Sequence, residues 1–221
     1  MVRESFARHI KKLENEVMGM GEMVIAAINR SVQALKAGDT AEAARIIEED
    51  ILINKRRLEI EEECINLIAL QQPVAIDLRE IVAILYVITD LERIGDYAEG
   101  IGKIVIMLGN EPLIKSLVNI PLMAEKAINM LKRSLEAFVS RDAKAAEAIC
   151  NEDDEVDKLY DQVHHELLTC MIEDPKTISK ATPLIWASHN LERMADRVTN
   201  ICERTVYLAT GTMREINVSR Y

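Results

Sequence analysis

A chain of 221 residues that is 49% hydrophobic and 29% charged can bury one large core or two small ones, and it is too apolar to stay disordered. With 4% aromatic residues, 8 Gly and 5 Pro, it lacks the turn residues and β-rich runs of sandwiches and barrels. Lys and Arg number 27 against 37 Asp and Glu, so the net charge is −10; this excludes the phosphate-neutralising surface of a nucleic-acid binder and suits cations or basic protein patches.

Apolar residues recur every three to four positions between a few strong breaks, which predicts six long helices. The first covers about residues 4–37 and stops at Gly38; Asp39 or Thr40 then caps a second over 40–71. Pro73 precedes a third, which ends at Gly109 and buries the line Ile81, Ile84, Ile88, Leu91, Gly95, Ala98, Gly102 and Val105. Gly109-Asn110-Glu111-Pro112 is the strongest mid-chain break, so a domain boundary is expected there, giving units 1–110 and 111–221. A fourth helix is expected over 121–140, and a fifth from Arg141-Asp142 to Glu173. After Asp174-Pro175 comes a sixth over 177–210, with Pro183 in its first turns and Gly211 as its stop. It carries the line Ser188, Leu191, Ala195, Val198, Cys202, Thr205 and Leu208. Long helices on short links make antiparallel bundles.

Cys64, Cys150, Cys170 and Cys202 each fall inside an apolar-periodic segment and form no C-x-x-C, so buried thiols are expected rather than disulfides. The first twelve residues are charged and lack the apolar core of a signal peptide. The longest apolar run, 81–88, is far short of the roughly 20 residues that span a bilayer. A cytoplasmic protein is expected, meeting a membrane only through partners.

The chain repeats itself. Asp90-Leu91-Glu92-Arg93-Ile94-Gly95-Asp96 aligns with Asn190-Leu191-Glu192-Arg193-Met194-Ala195-Asp196 at an offset of 100, and Ile101 with Ile201. Asp50 to Lys55 aligns more weakly with Asp153 to Lys158 at an offset of 103. A period this long is a domain, not a solenoid repeat. The expected fold is all-α: two tandem, sequence-related three-helix bundles.

Glu92 and Asp96 stand at i, i+4 and share a helix face, extended by Glu99; Glu192 and Asp196 do the same, followed by Thr199. Asp50 and Asn54, and Asp153 and Asp157, have the same spacing on the second helix of each unit. Two adjacent helices could thus bring four oxygen-bearing side chains to one place in each bundle. Like charges at i, i+4 cost an isolated helix about 0.2–0.5 kcal/mol per pair. A sequence that does this twice in one register has either compensating cations or a metal, and oxygen donors suit Mg²⁺, Mn²⁺, Ca²⁺ or iron. An ordinary salt-bridged bundle stands beside that reading. In it Arg93 reaches back to Asp90, while Arg93 and Arg193 are solvated or contact a partner. A di-iron oxidase would show two Glu-x-x-His motifs; the nearest is Asp161-x-x-His164. His164, His165 and His189 have no clear partners, and Met18, Met20 and Met23 fit bundle packing. No Walker, dinucleotide or nucleophile-elbow motif occurs.

Five segments in order carry a resemblance to a known family: Val17-Met18-Gly19-Met20-Gly21; Gln71-Gln72-Pro73-Val74-Ala75-Ile76-Asp77-Leu78-Arg79; Asp90 to Asp96; Glu173-Asp174-Pro175; and Asn190 to Asp196 with Asn200-Ile201. Over nearly its whole length the chain resembles the PhoU family of phosphate-transport accessory and regulatory proteins. The resemblance implies two three-helix bundles, no catalytic activity, and metal sites, including iron or zinc clusters, on E/D-x-x-x-D motifs. Those motifs map to Glu92 and Asp96 and to Glu192 and Asp196, facing Asp50/Asn54 and Asp153/Asp157; manganese or magnesium would suit the same donors. It also implies a homodimer that represses phosphate uptake and starvation signalling by contacting the phosphate ABC transporter ATPase and a membrane sensor histidine kinase. Ile25 stands where many members are acidic, and Asn54 leaves the first site one carboxylate poorer, so the second site is expected to bind metal more tightly. Met194 and Ala195 replace the commoner Ile-Gly. A metal-dependent oxidase or hydrolase, and a plain helical dimerisation module, are the alternatives.

Overall fold

The computed structural model describes residues 2–109, 114 and 118–216, with side chains from Phe6 onward. Its helices are α1 (Val2–Ala37), α2 (Thr40–Gln71), α3 (Ile76–Leu108), α4 (Asn119–Ser140), α5 (Ala143–Cys150), α6 (Asp153–Glu173) and α7 (Ile178–Thr210). The expected boundary at Asn110 to Pro112 lies outside the described residues.

The breaks behave as their chemistry dictates. Gly38 turns the chain at φ +67°, and the Asp39 carboxylate accepts from the Glu42 N–H to cap α2. Asp142 caps α5 in the same way through Lys144 and Ala145. Asp174 caps a single 3₁₀ turn over Pro175–Thr177 that leads into α7. The predicted fifth helix is present but interrupted: Asn151 and Glu152 form a turn between α5 and α6. Asp153, Asp154 and Glu155 then open α6, where carboxylates favour the positive end of the helix dipole. That acid run is a start signal which apolar periodicity alone passes over.

Both predicted apolar lines, on α3 and on α7, are buried throughout. Helices α1–α3 pack on one another, as do α4–α7, and one continuous core joins the two bundles. Met20 is fully buried, with Met18 and Met23 packed beside it. Cys64, Cys150 and Cys202 are buried and Cys170 is half-buried; no disulfide joins the four. No helix among the described residues is long and apolar enough to cross a membrane.

The most extensive helix pairing is α3 against α7. Arg79 lies over the Tyr207 ring and Arg204 over Tyr86. Asn200 donates to Asp90 at 3.2 Å, Arg193 to the Tyr97 hydroxyl at 3.4 Å, and Gly100 abuts the Asn190 amide. Rising numbers on α3 meet falling numbers on α7, so the helices are antiparallel. With the repeat offset of 100, this relates the bundles by a pseudo-two-fold axis near Gly95 and Ala195. Helices α1 and α4 also touch, beneath that axis. Helices α2 and α6 are left as the outer edges of an α2-α3-α7-α6 layer.

Candidate functional site

The layer brings the eight predicted ligands together as two clusters. Asp50 and Asn54 of α2 meet Glu92, Asp96 and Glu99 of α3; Asp153 and Asp157 of α6 meet Glu192 and Asp196 of α7. Each α3 or α7 carboxylate sits one position from the buried line, so it emerges at the rim of the groove between neighbouring helices.

In the first cluster the charges find partners within the chain. Asn54 donates to Asp50 at 2.7 Å, Arg93 to Asp96 at 3.4 Å, and Lys103 to Glu99 at 2.6 Å. Arg93 does not reach Asp90 as expected; it turns to Asp96 and lies 3.7 Å from Glu92. Asp90 is instead buried at the α3–α7 contact beside Asn200 and Arg197. Burial, then Asp96, Glu99 and Glu92, raise the Asp50 pKa, and the Asn54 hydrogen bond opposes them. Burial also raises that of Asp96, against the pull of Arg93. A recess of about 220 Å³ opens beside Asp50, Gly95 and Glu99, walled on the α1 side by Ala26 and Ala27.

The second cluster is deeper and poorer in cations. Asp153 is 2% exposed and Glu192 7%. Burial pushes Asp153 up to about 7, helped by Asp157, Asp196 and Glu192. Burial, then Asp196 and Asp157, likewise push Glu192 up to about 7. Asp157 and Asp196 are raised too, burial first in each case. Arg193 was expected to be solvated or to meet a partner; it is drawn aside to Tyr97 and stays 3.9 Å from Asp196. Glu192 Oε2 is buried without a hydrogen bond. His189 Nδ1 lies 3.2 Å from it but outside hydrogen-bond geometry. Burial and Arg193 depress the His189 pKa, which favours neutral imidazole. His189 and His164, which had no clear partner in the sequence, both lie against the Tyr160 ring.

The difference in depth has a local cause. Aligning the α1–α2 and α4–α5 turns at an offset of 103 places Asn129 and Met130 where α1 has Ala26 and Ala27. Met130 is 1% exposed. The corresponding groove, beside Lys126, Asn129, Met130 and Glu155, does not extend to Asp153.

Among the described residues, no three His, Cys, Asp or Glu side chains are already assembled to hold a metal ion. The donor chemistry of the second cluster nevertheless fits an oxygen-seeking cation. It is four carboxylates, two of them about half-protonated near neutrality, with one buried oxygen lacking a hydrogen bond. The α3–α7 groups Tyr97, Arg197 and Asn200 were missed by the sequence reading. Asn200 faces Asp90 while its repeat counterpart, Gly100, faces Asn190, and that substitution within the repeat was the available signal.

Comparison with known proteins agrees with the two-bundle organisation. The PhoU domain profile matches residues 17–105 and 120–205. A Clostridium acetobutylicum protein named phosphate-specific transport system accessory protein PhoU homolog is 39% identical over 221 residues, covering 98% of this chain and 100% of the relative. The crystal structure of the phosphate transport system regulatory protein PhoU from Streptococcus pneumoniae superposes with a TM-score of 0.88 at 33% identity, over 95% of this chain and 99% of that one. PhoU from Pseudomonas aeruginosa superposes with a TM-score of 0.89 at 35% identity, over 94% of this chain and 100% of that one.

Proposed function

The chain belongs to the PhoU family of phosphate-transport accessory proteins, not enzymes, and from that premise we propose that it is a metal-responsive adaptor which represses phosphate uptake and phosphate-starvation signalling. Its partners on this reading are the ATPase of a phosphate ABC transporter and a membrane sensor histidine kinase, met in the cytoplasm. The observation that carries the metal part is the buried Glu192 carboxylate, with one oxygen lacking a hydrogen bond, among Asp153, Asp157 and Asp196.

The physical logic is linkage. Three or four carboxylates held near one another repel, and the chain supplies few cations to offset them in the second cluster. A bound divalent or trivalent ion, iron, zinc, manganese or magnesium, would supply the missing positive charge. Asp153, Asp157, Glu192 and Asp196 would hold it, with Asp50, Asn54, Glu92 and Asp96 as the weaker set. Occupancy would draw α6 and α7 to one spacing and fix the outer surface that a partner reads. Glu99 and Lys103 already pair in the first cluster, so the second is the more responsive.

The test is a binding titration of the full chain against the purified transporter ATPase and the cytoplasmic part of the kinase, with Mn²⁺, Zn²⁺ or Fe²⁺ present or chelated. Metal-dependent binding that is lost in the Glu192→Gln/Asp196→Asn variant is the expected result. Binding that ignores both metal and variant would remove the metal-responsive part and leave a constitutive adaptor. No binding to either partner would overturn the reading.

A further inference from the structure

Two cysteines meet where α5 packs on α7. Cys150 ends α5 and Cys202 lies on α7, and both are 0% exposed. The Cys150 thiol donates to the Thr199 carbonyl at 3.8 Å, one turn before Cys202 on the same helix. The Cys202 thiol hydrogen-bonds to Cys150, and this contact, then burial, raises its pKa. The two sulfur atoms are neighbours in a dry site.

The fold does not demand sulfur there. The repeat puts Ile47 at the position of Cys150, offset 103, and Gly102 at that of Cys202, offset 100. A Cβ on Gly102 would lie 3.4 Å from Ile47 Cγ1 and 3.3 Å from the Ala43 carbonyl oxygen. The first bundle thus brings the same two positions together and fills the gap from one side. A disulfide needs its Cβ atoms about 3.5–4.5 Å apart, which a crossing this close allows. Only the second bundle places two thiols in it.

We propose that Cys150 and Cys202 are a redox-modification site, which a peroxide converts to a disulfide that ties the turn between α5 and α6 to α7. In the first step the Cys150 sulfur attacks one peroxide oxygen, the O–O bond breaks, and the departing hydroxide takes the Cys150 proton as water; Cys150 is left as a sulfenic acid. In the second the Cys202 sulfur attacks the Cys150 sulfur, the S–O bond breaks, and the hydroxide leaves as water with the Cys202 proton. Two thiols and one hydrogen peroxide give one disulfide and two waters. Access is through α5, whose eight residues are too few to hold a helix by themselves. Arg133 pins the turn beyond it, donating to Glu152 at 2.7 Å. Local opening of that turn uncovers Cys150 while α7 stays folded. Cys202, held as the thiol, then resolves the oxidised Cys150 when the turn closes. Asp153 opens α6 three residues after Cys150, so the tie fixes the turn that places a carboxylate of the second cluster. The first cluster has no equivalent.

The test treats the full chain, carrying Cys170→Ser to remove the half-buried thiol, with hydrogen peroxide. Peptide mapping by mass spectrometry should find a crosslink between residues 150 and 202 that dithiothreitol reverses, and that Cys150→Ser or Cys202→Ala abolishes. Arg133→Ala should speed its formation about two- to fivefold, the effect of one part-exposed ion pair on the opening of the turn. Amide exchange across residues 151–153 should slow about tenfold on oxidation, with the matching residues 48–50 unchanged. Peroxide that leaves both thiols unreacted, stops at a sulfinic acid on Cys150, or joins Cys64 instead would overturn the proposal. So would a crosslink that leaves exchange at 151–153 unaltered, or an Arg133→Ala rate equal to wild type. None of these measurements involves the metal, the transporter ATPase or the kinase, so the thiol pair and the adaptor reading stand or fall separately.

Discussion

In the α2–α3 half, Asn54 donates to Asp50, Arg93 turns to Asp96, and Lys103 holds Glu99. In the α6–α7 half the matching positions are Asp157, Arg193 and Glu203. Arg193 has gone to Tyr97, and Glu203 accepts from the backbone of Ile216. One cluster is therefore largely balanced from within, while the other buries Asp153 and Glu192 with charge left over. The helix spacing of the carboxylates is the same in both. What differs is one amide, one lysine and how close α1 or α4 lets solvent approach. An E-x-x-x-D motif thus places carboxylates without fixing their electrostatics, which the neighbours decide.

The largest effect should come from relieving the second cluster. Asp153 and Glu192 have folded-state pKa values of about 7, above the roughly 4 of an unfolded carboxyl. A folded state that binds the proton more tightly than the unfolded state loses stability as pH rises between those values. Metal-free protein should therefore hold this contribution in full at and below about pH 4, lose it progressively up to about pH 7, and change no further above it. The two groups interact, so the loss for the pair is less than twice the roughly 3–4 kcal/mol that one such group alone would give. Glu192→Gln should keep the shape and remove the charge. In chelated buffer it should match wild type at pH 4.5 and exceed it by about 2 kcal/mol at pH 8.5 in urea unfolding. Glu92→Gln should change the pH 8.5 value by less than about 1 kcal/mol, since Arg93 and solvent share that charge. A Glu192→Gln protein less stable than wild type at both pH values would show that the second cluster is not frustrated.

A smaller effect should follow from making the first cluster resemble the second. Asn54→Asp removes the donor to Asp50 and adds a carboxylate four residues away. Without metal it should cost about 1–2 kcal/mol at pH 8. With metal it should gain first-site occupancy, because the donor set then matches Asp153 and Asp157. Chelator titration separates the two: the variant should release first-site metal at higher chelator than wild type. Equal release from both proteins would mean that donor count does not set the difference between the sites.

Much of this was legible in the sequence because helices obey short-range rules. Gly38, Asp39, Asp142, Asp174 and Gly211 stop or cap helices wherever they stand, and the α3 and α7 lines follow from a 3.6-residue period. The pairing of α2 with α3, and of α6 with α7, followed from the repeat. The turn at Asn151 and Glu152 was hidden by an unbroken apolar pattern. The antiparallel α3–α7 ladder was hidden for a deeper reason. Tyr97, Arg193, Asp90 and Asn200 are about 100 residues apart in sequence, and an Arg on a helix surface has several carboxylates within reach. Which group it takes depends on the packing of two bundles, and that packing turns Arg193, expected to be solvated or to meet a partner, to the Tyr97 hydroxyl.

The smallest expected effect concerns the helix crossing beneath the first cluster. A Cβ on Gly95 would meet Ile53 Cδ1 at 3.2 Å and Cγ2 at 3.3 Å, tighter than ordinary contact, whereas the repeat has Ala195 and the smaller Val156 at the corresponding positions. Gly in a helix interior costs about 1 kcal/mol relative to Ala, so Gly95→Ala alone sets that gain against overpacking of similar size. Ile53→Val alone loses about 0.5–1.5 kcal/mol of packing. Made together, the two substitutions copy the residue types Ala195 and Val156, removing the Ile53 Cδ1 methyl that lies nearest the new Cβ while keeping the helix gain. A double-mutant cycle should then show favourable coupling of about 1 kcal/mol. Strict additivity in the cycle would mean that Ile53 swings clear of the new methyl at no cost. In that event Gly95 would not set the α2–α3 distance, and the greater openness of the first cluster would rest on Ala26 and Ala27 of α1 alone.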